Sequence, residues 1–339
     1  MTAGRATIAV AIGDPAGIGP ELAAHILADP ELNEAARFIV FGDARVLAHG
    51  AAATGSTLEV DTRRGGDPLD GDGAVLVDLG HLDPATITVG EASPEGGRFA
   101  LANYRAAVEL AASGGADAVC FTPFNKSAMK KAHPSYDDEI SYTAELLGRP
   151  DIVAKEFNIL EGLWNARVTS HVPISAVASL ITHDSVLNGI RLTDASLKEA
   201  GLADARIAVA GLNPHCGDGG NFGHEDDDIL RPAVEVARSE GINVDGPFPS
   251  DTVFVRATKG NFEAVLTMYH DQGQIAMKLI GFDRGVTLLG GFPFPICTPA
   301  HGSAYDIAGK GIANPGATRA AIFLAAKMAA RRRDLERAG

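Results

Sequence analysis

The sequence predicts an α/β fold with a largely parallel sheet. Short apolar segments rich in Val, Ile and Ala alternate along the chain with longer segments of helical pattern. The 339 residues, 46% of them hydrophobic, are enough to bury a large core and correspond to about two domains. Both observations indicate an α/β chain of about two domains.

Short apolar runs predict the strands, and amphipathic periodicity predicts the helices. Strands are predicted at 7–12, 37–41, 73–79, 116–121, 166–169, 205–210 and 264–268. Helices are predicted at 19–27, 97–113, 141–148, 174–190, 226–240 and 316–333.

The charge and the cysteines narrow the class of protein. A net charge of -14 argues against general binding to nucleic acid or to anionic membranes. The apolar run near the N-terminus is too short for a signal peptide or a membrane span. Cys120, Cys216 and Cys297 lie far apart without a C-x-x-C pair, so we expect a cytoplasmic protein without disulfides or a structural zinc site.

A Gly- and Pro-rich loop follows the first predicted strand. Its glycines, Gly13, Gly17 and Gly19, match neither the G-x-G-x-x-G nor the P-loop spacing. Pro20 and Glu21 suit the first turn of a helix, and the charge of Glu21 disfavours a simple phosphate site. On spacing alone, the loop is either a tight turn or a ligand-binding loop.

Three histidines share one context, because each follows the end of a predicted strand. They are His171, His215 and His270. In open α/β sheets, sites collect at the carboxyl ends of the strands, and three imidazoles suit Zn²⁺, Mn²⁺, Fe²⁺ or Co²⁺. Any one of them alone is more often structural, whereas the repeated context favours a shared metal site. His301 receives no assignment.

Further polar residues stand beside predicted strands. Lys126 follows the fourth strand, Asp251 lies in a Pro-rich turn, and Asp271 is next to His270. Lys278 follows about two helical turns later and either serves the site, by orienting a carboxylate or moving a proton, or is a solvated helix residue.

Five segments together resemble the 4-hydroxythreonine-4-phosphate dehydrogenase family of pyridoxine biosynthesis. They are GDPAGIGPEL, GLNPHCGDGGNFGHED, DGPFPSDTVF, MYHDQGQIAMK and HGSAYDIAGKGIANPG, in this order over nearly the whole chain. The first is also similar to the G-D-G-I-G-P-E segment of isocitrate and isopropylmalate dehydrogenases.

The resemblance implies two α/β/α domains of the isocitrate and isopropylmalate dehydrogenase type, 1–130 plus 285–339 and 131–284. It implies a homodimer with a shared active site in the interdomain cleft at the subunit interface. It implies a divalent metal (Zn, Mn, Mg, Co or Fe) on His171, His215 and His270, with His270 facing the partner subunit's site. It also implies NAD or NADP bound without a Rossmann fingerprint.

Several substrate positions depart from the family. The G-H-T-E segment is replaced by Asp-Glu-Ile-Ser at 138–141, the substrate Asn by Thr287 and the substrate Arg by Ile296, whereas Lys278 is kept. The loss of an arginine removes a bidentate anion contact. These departures, and similarity of LLGG and HGSAYDIAG to the branch that oxidises terephthalate cis-dihydrodiol, favour a non-phosphorylated aromatic substrate.

The resulting hypothesis is a metal- and NAD(P)-dependent dehydrogenase. It would oxidise a secondary alcohol β to a carboxylate and release CO₂, with the metal stabilising negative charge on oxygen. The catalytic set is Lys278, Asp251 and Asp271, the cofactor set is Asp14, Gly17 and Asn213, and the substrate set is Lys278, Glu139, Ile140, Thr287 and Lys126.

Two alternatives stay open. One is 4-hydroxythreonine-4-phosphate or phosphothreonate dehydrogenase itself. The other, more remote, is a non-catalytic dimer that binds a metabolite, which the retained histidines and Lys278 disfavour.

Overall fold

The computed structural model describes residues 5–338, and the prediction of an α/β fold is confirmed. The chain divides into two compact units. Unit 1 comprises the residues up to Val153 and those from Phe292 onward, and unit 2 comprises Ala154–Gly291.

Unit 1 contains a six-stranded parallel sheet, in the order β3-β4-β2-β1-β5-β12. Its strands are β1 (Ala6–Ala11), β2 (Ala36–Gly42), β3 (Asp61–Arg64), β4 (Val75–Asp78), β5 (Ala118–Phe121) and β12 (Ile296–Pro299). Most of their residues are buried, as expected for parallel strands covered by helices.

Seven helices complete unit 1. They are α1 (Gly19–Ala28), α2 (Pro30–Ala35), α3 (Ala44–Thr54), α4 (Pro94–Ala112), α5 (Lys126–Ala132), α6 (Glu139–Leu146) and α12 (Gly316–Ala338). Side chains cap five of them, α2 to α6, at the N-terminus. At α4, α5 and α6 the caps are Ser93, Asn125 and Asp138, which accept hydrogen bonds from backbone N–H groups of the first turn. These caps determine where α4, α5 and α6 begin.

Unit 2 contains a mixed sheet, in the order β11-β6-β7-β10-β8-β9. Its strands are β6 (Lys155–Leu160), β7 (Leu163–Arg167), β8 (Ile207–Ala210), β9 (Val244–Phe248), β10 (Ala264–Thr267) and β11 (Val286–Gly290). The strand β6 is antiparallel to both β7 and β11, whereas β7, β10, β8 and β9 are mutually parallel.

Five α-helices belong to unit 2. They are α7 (Ile174–Leu180), α8 (His183–Glu199), α9 (Arg231–Ser239), α10 (Ser250–Ala257) and α11 (His270–Gly281). The buried cluster of this unit includes Leu160, Leu163, Val265 and Met277, which join α11 to the sheet. None of the helices in the described range 5–338 is long and apolar enough to span a membrane.

The structure differs from the predicted elements in several ways. The strands β3, β6, β9, β11 and β12 and the helices α2, α3, α5, α10 and α11 were not predicted. The helix predicted at 174–190 is two helices, because Thr182 and Ser185 form a capping box that starts α8. The segment 131–153 was assigned to the second domain but packs within unit 1, where the Tyr104 hydroxyl lies 2.6 Å from the Thr143 hydroxyl.

The close contact between α4 and α5 depends on Gly97. A Cβ atom at this position would lie 2.0 Å from the backbone oxygen of Ala128, which cannot move independently of α5. A Cβ at the neighbouring Gly96 would meet no atom closer than 3.3 Å.

We predict that Gly97→Ala destabilises the protein by about 1–3 kcal/mol, because α5 must move away from α4. Gly96→Ala is the matched control and should lie within about 0.5 kcal/mol of the wild type. Urea unfolding of the three proteins measures the difference. Equal stability of the two variants would contradict the close contact.

Candidate active site

The candidate metal ligands lie at one edge of the unit 2 sheet. The strands β7, β10 and β8 are parallel neighbours, so their carboxyl ends meet at the same edge. His171 lies four residues after β7, His215 five residues after β8, and His270 starts α11 after β10. The topology therefore explains why the same local context occurs three times in the sequence.

Two of the three histidines are close together. The ring centroids of His171 and His270 are 5.6 Å apart. His171 is exposed and His270 is half-buried. The Nδ1 atom of His270 lies 2.7 Å from Oδ1 of Asp271, a contact that directs Nδ1–H to the carboxylate and leaves the Nε2 lone pair available. The pair is a candidate set of imidazole ligands.

The loop that carries His215 has a strained backbone. His215 has φ 54° and Cys216 has φ 55°, both in the left-handed region that non-glycine residues rarely adopt. The buried carboxylate of Asp226 holds this loop by accepting hydrogen bonds from the backbone N–H groups of Leu212 and Asn213, at 2.9 and 3.0 Å. The strain is consistent with a loop shaped for binding.

Side chains outside the predicted site connect the ends of the three strands. The Gln272 side chain accepts from Met268 N at 2.8 Å and donates to the Gly211 oxygen at 2.9 Å, which joins the end of β10 to the loop after β8. The Thr169 hydroxyl donates to the Met268 oxygen at 2.8 Å and joins the end of β7 to β10. The sequence analysis missed both roles, although Gln272 directly follows the His270–Asp271 pair.

The three histidines do not form a closed metal site within the chain. Among residues 5–338, no group of three or more His, Cys, Asp or Glu side chains is arranged to hold a metal ion. The donor chemistry of His171 and His270 fits a borderline divalent metal, but a third ligand has to approach. A ligand role for His215, and a contribution of His270 to the partner's site, stay predictions.

The other residues of the predicted catalytic set are spread over unit 2. Asp251 is exposed in the first turn of α10. Lys278 is exposed on α11, eight residues after His270, which corresponds to a rise of about 12 Å. Thr287 is buried in β11, where its hydroxyl accepts from Asn158 at 3.4 Å. Asp271 directly contacts the predicted ligand His270.

Cys216, next to His215, is not a reactive thiolate. Burial, followed by the charge of Asp226, raises the pKa of Cys216 to about 11. The thiol is therefore protonated near neutral pH and is a poor nucleophile.

The predicted cofactor residues of unit 1 are part of a compact loop contact. Asp14 is 1% exposed, and its Oδ2 accepts from the Tyr305 hydroxyl at 2.5 Å while Oδ1 accepts from Ala16 N at 3.0 Å. A Cβ at Gly17 would lie 2.6 Å from the Ser303 oxygen, so Gly17 permits this close approach. The third predicted cofactor residue, Asn213 of unit 2, donates through Nδ2 to Glu225 Oε2 at 2.7 Å.

The first helix also holds the 303–309 segment. Glu21 Oε1 accepts from Gly309 N at 2.6 Å. The buried side chain of Glu21 therefore has a structural bond in addition to its place in the first turn of α1. Burial lowers the pKa of the half-buried His301, so its imidazole is neutral near neutral pH.

The substrate positions of unit 1 lie around the start of α6. Lys126 Nζ is 3.5 Å from Glu139 Oε2. Ile140 is partly exposed in the same turn, which Asp138 caps. Ile296 is fully buried in β12. Ile296 is thus part of the interior of the sheet.

The chain is similar to known proteins over its full length. A family profile described as "Pyridoxal phosphate biosynthetic protein PdxA" matches residues 34–325. A relative from Rhizobium meliloti (strain 1021), provisionally named 4-hydroxythreonine-4-phosphate dehydrogenase 2, is 59% identical and covers 98% of this chain and 96% of its own length. A relative from Symbiobacterium thermophilum, provisionally named D-threonate 4-phosphate dehydrogenase, is 41% identical and covers 96% and 97%.

Solved structures agree with these matches. The 4-hydroxythreonine-4-phosphate dehydrogenase of Klebsiella pneumoniae is 33% identical, with a TM-score of 0.81 over 97% of this chain and 99% of that chain. The terephthalate 1,2-cis-dihydrodiol dehydrogenase of Burkholderia xenovorans LB400 is 29% identical, with a TM-score of 0.66 over 95% and 98%.

The preference for a non-phosphorylated aromatic substrate is not supported. The relatives at 59% and 41% identity are named for phosphorylated substrates, whereas the dihydrodiol dehydrogenase is more distant in sequence and in structure. Ile296, where the family has its substrate arginine, is fully buried in β12. The alternative of a phosphorylated hydroxy acid is favoured.

We predict that Asp14→Asn changes the pH dependence of stability. Burial raises the pKa of Asp14 above 3.8, against hydrogen bonds from Tyr305 and Ala16 that lower it. Its contribution to stability is therefore complete below that value and is lost as the pH rises through the folded-state pKa. Relative to the variant, the wild type should lose stability in urea unfolding as the pH rises above about 4.

Asp43→Asn is the control of opposite sign. Burial raises the pKa of Asp43, but hydrogen bonds from the Arg45 side chain and backbone outweigh it, so the pKa is lowered. The contribution of Asp43 is present above its ordinary value and is lost as the pH falls. Parallel pH profiles for the wild type and Asp14→Asn would refute the assignment.

Proposed function

Because the chain belongs to the PdxA family of pyridoxal phosphate biosynthetic proteins, we propose that it oxidises a 4-phosphorylated four-carbon hydroxy acid and releases CO₂. The prediction of an oxidoreductase acting on a CH–OH group is confirmed by the family match and by relatives named dehydrogenases. The proposed substrates are D-threonate 4-phosphate and 4-hydroxythreonine 4-phosphate. They share a carboxylate, a secondary hydroxyl on the β carbon and a terminal phosphate.

The reaction follows from this substrate structure. Oxidation at the β carbon transfers a hydride to NAD or NADP and a proton to a base, and leaves a β-keto acid. Breaking the bond to the carboxylate then releases CO₂, and protonation of the remaining carbanion yields a three-carbon ketone phosphate. D-Threonate 4-phosphate and 4-hydroxythreonine 4-phosphate differ only in the substituent on the carbon that is finally protonated.

The observation that carries the proposal is the His171–His270 pair at the carboxyl edge of the sheet, with Asp271 behind His270. A divalent metal bound there would act as a Lewis acid on the reacting oxygen and stabilise its negative charge. The two imidazoles and His215 would hold the metal, and Asp271 would keep the ring of His270 oriented.

The remaining residues have proposed roles in binding and proton transfer. Lys278 would orient the substrate carboxylate, and Asp251 would relay a proton. Lys126, Glu139, Ile140 and Thr287 would form the substrate pocket. Asp14, Gly17 and Asn213 would lie near the bound NAD or NADP.

A second copy of the chain is the proposed source of the missing part of the site. Ile174, three residues after His171, is 71% exposed, and Leu279, nine residues after His270 on α11, is 83% exposed. Large apolar side chains with such exposure are candidates for an interaction surface. A homodimer would cover them and complete the metal site.

The substrate is tested by a steady-state panel followed through the absorbance of reduced cofactor. The purified protein, with Mg²⁺, Mn²⁺, Zn²⁺ or Co²⁺ and with NAD or NADP, is offered both phosphorylated acids and terephthalate cis-dihydrodiol. We expect turnover of at least one phosphorylated acid and appearance of a ketone phosphate. Turnover of the dihydrodiol alone would refute the proposed substrate class.

The metal is tested by His171→Ala, with His183→Ala as the matched control. His183 is on the surface of the same unit and pairs with Asp184 at 3.2 Å. Removal of a residue that only hydrogen-bonds to a metal ligand weakens metal binding roughly 10- to 100-fold. Loss of the His171 imidazole, a proposed ligand itself, should weaken metal binding by more than this. Titration of the apo-protein with Zn²⁺ measures the affinity, and equal affinities of the two variants would remove His171 from the site.

A further inference from the structure

A buried polar network connects the β6–β7 hairpin to α11. The Asn158 Oδ1 atom of β6 accepts a hydrogen bond from Nη1 of Arg167, the last residue of β7. The same oxygen accepts from Nε2 of Gln274 on α11, at 2.5 Å. Asn158 therefore joins the sheet to the helix through one carbonyl oxygen.

The position of Gln274 relates this network to the candidate site. Gln274 lies four residues after His270 and four residues before Lys278, so the three side chains are on the same side of α11. Rotation or translation of α11 against the sheet would move His270 and Lys278 together. The hydrogen bond from Gln274 opposes such movement because it is directional.

The buried polar network has a desolvation cost that an apolar contact between α11 and the sheet would avoid. The Arg167 side chain is 2% exposed, and its Nη2 lies 3.0 Å from Glu156 Oε1. Its Nε has no hydrogen-bond partner among residues 5–338. Apolar side chains in place of a buried ion pair often give equal or greater stability, but they provide no directional contact.

A second contact holds the first turn of α11 at the same face of the sheet. A Cβ at Gly273 would lie 2.1 Å from Asn165 Oδ1, so the helix backbone directly touches this buried amide of β7. Asn165 is itself held by hydrogen bonds from its Nδ2 to the oxygens of Val265 and Thr267, at 3.0 and 3.2 Å. Two adjacent residues of α11, Gly273 and Gln274, thus contact neighbouring side chains on the same face of the β6–β7 hairpin.

We propose that Arg167, Asn158 and Gln274 are positioning residues, whose hydrogen bonds set the orientation of α11 and thereby the placement of His270 and Lys278 for metal and substrate. The inference rests on the proposed function of these two residues. It adds residues that do not themselves touch the substrate or the metal.

The test variant is Gln274→Met, which removes the helix-to-sheet hydrogen bond but leaves Asn158 bonded to Arg167. Met277→Leu is the matched control, because Met277 is buried on the same helix and makes apolar contacts only with the core. We expect Gln274→Met to weaken Zn²⁺ binding to the apo-protein about tenfold and to lower kcat by a similar factor, with KM for the nicotinamide cofactor unchanged. Met277→Leu should shift the urea midpoint at least as much and leave metal affinity unchanged.

Two results would overturn the proposal. The first is that Gln274→Met keeps the metal affinity and the kcat of the wild type. The second is that Gln274→Met and Met277→Leu both lose metal affinity, each in proportion to the decrease in its urea midpoint. If the wild type binds Zn²⁺ but oxidises no phosphorylated acid, the proposed function fails, while the comparison of affinities still tests the positioning role.

Hydrogen exchange of the wild type provides a measurement that does not depend on the folding of any variant. The amides of residues 274–281 of α11, which donate to carbonyl groups one turn earlier in the helix, should be protected before metal is added, because the network already holds the helix. Rapid exchange there in the apo-protein, followed by protection only with Zn²⁺, would show that the metal orders α11 and would overturn the proposal.

Discussion

The parallel pairing of β7, β10 and β8 is the constraint on which the candidate site depends. Since neighbouring parallel strands end at the same edge of the sheet, the segments that follow them must share that edge. The hydrogen bonds of Gln272 and Thr169 then join the three strand ends directly. The proximity of His171 and His270 is a consequence of this pairing.

The antiparallel β6–β7 hairpin has a different physical role. Its buried face carries amide and charged side chains where an ordinary core would have apolar residues. Burial lowers the pKa of the neighbouring Lys155, and the charge of Arg167 adds to this effect. Burial of these polar side chains costs desolvation energy. In return, they form directional hydrogen bonds to α11, which apolar side chains cannot form.

In unit 1, side-chain hydrogen bonds join the Gly- and Pro-rich loop after β1 and the start of α1 to the 303–309 segment. The carboxyl of Asp14 is satisfied by Tyr305 and by the backbone, and Glu21 holds Gly309. The loop after β1 therefore stabilises the 303–309 segment far away in sequence. These contacts explain the acidic residues near the loop without requiring either of them to touch a ligand.

Sequence alone determined the α/β class, the strands with clean apolar runs such as β1 and β10, and the strand-end context of the three histidines, because these depend on local composition and on short-range order. It did not predict β6, because polar residues such as Glu156 and Asn158 interrupt its apolar pattern. Only the tertiary structure decided which histidines meet, that Ile296 is core, and that Gln272, Asn158 and Gln274 support the site. Those facts depend on strand order and on contacts between residues more than 100 positions apart, as in the bond between Asn158 and Gln274, and no local pattern encodes them.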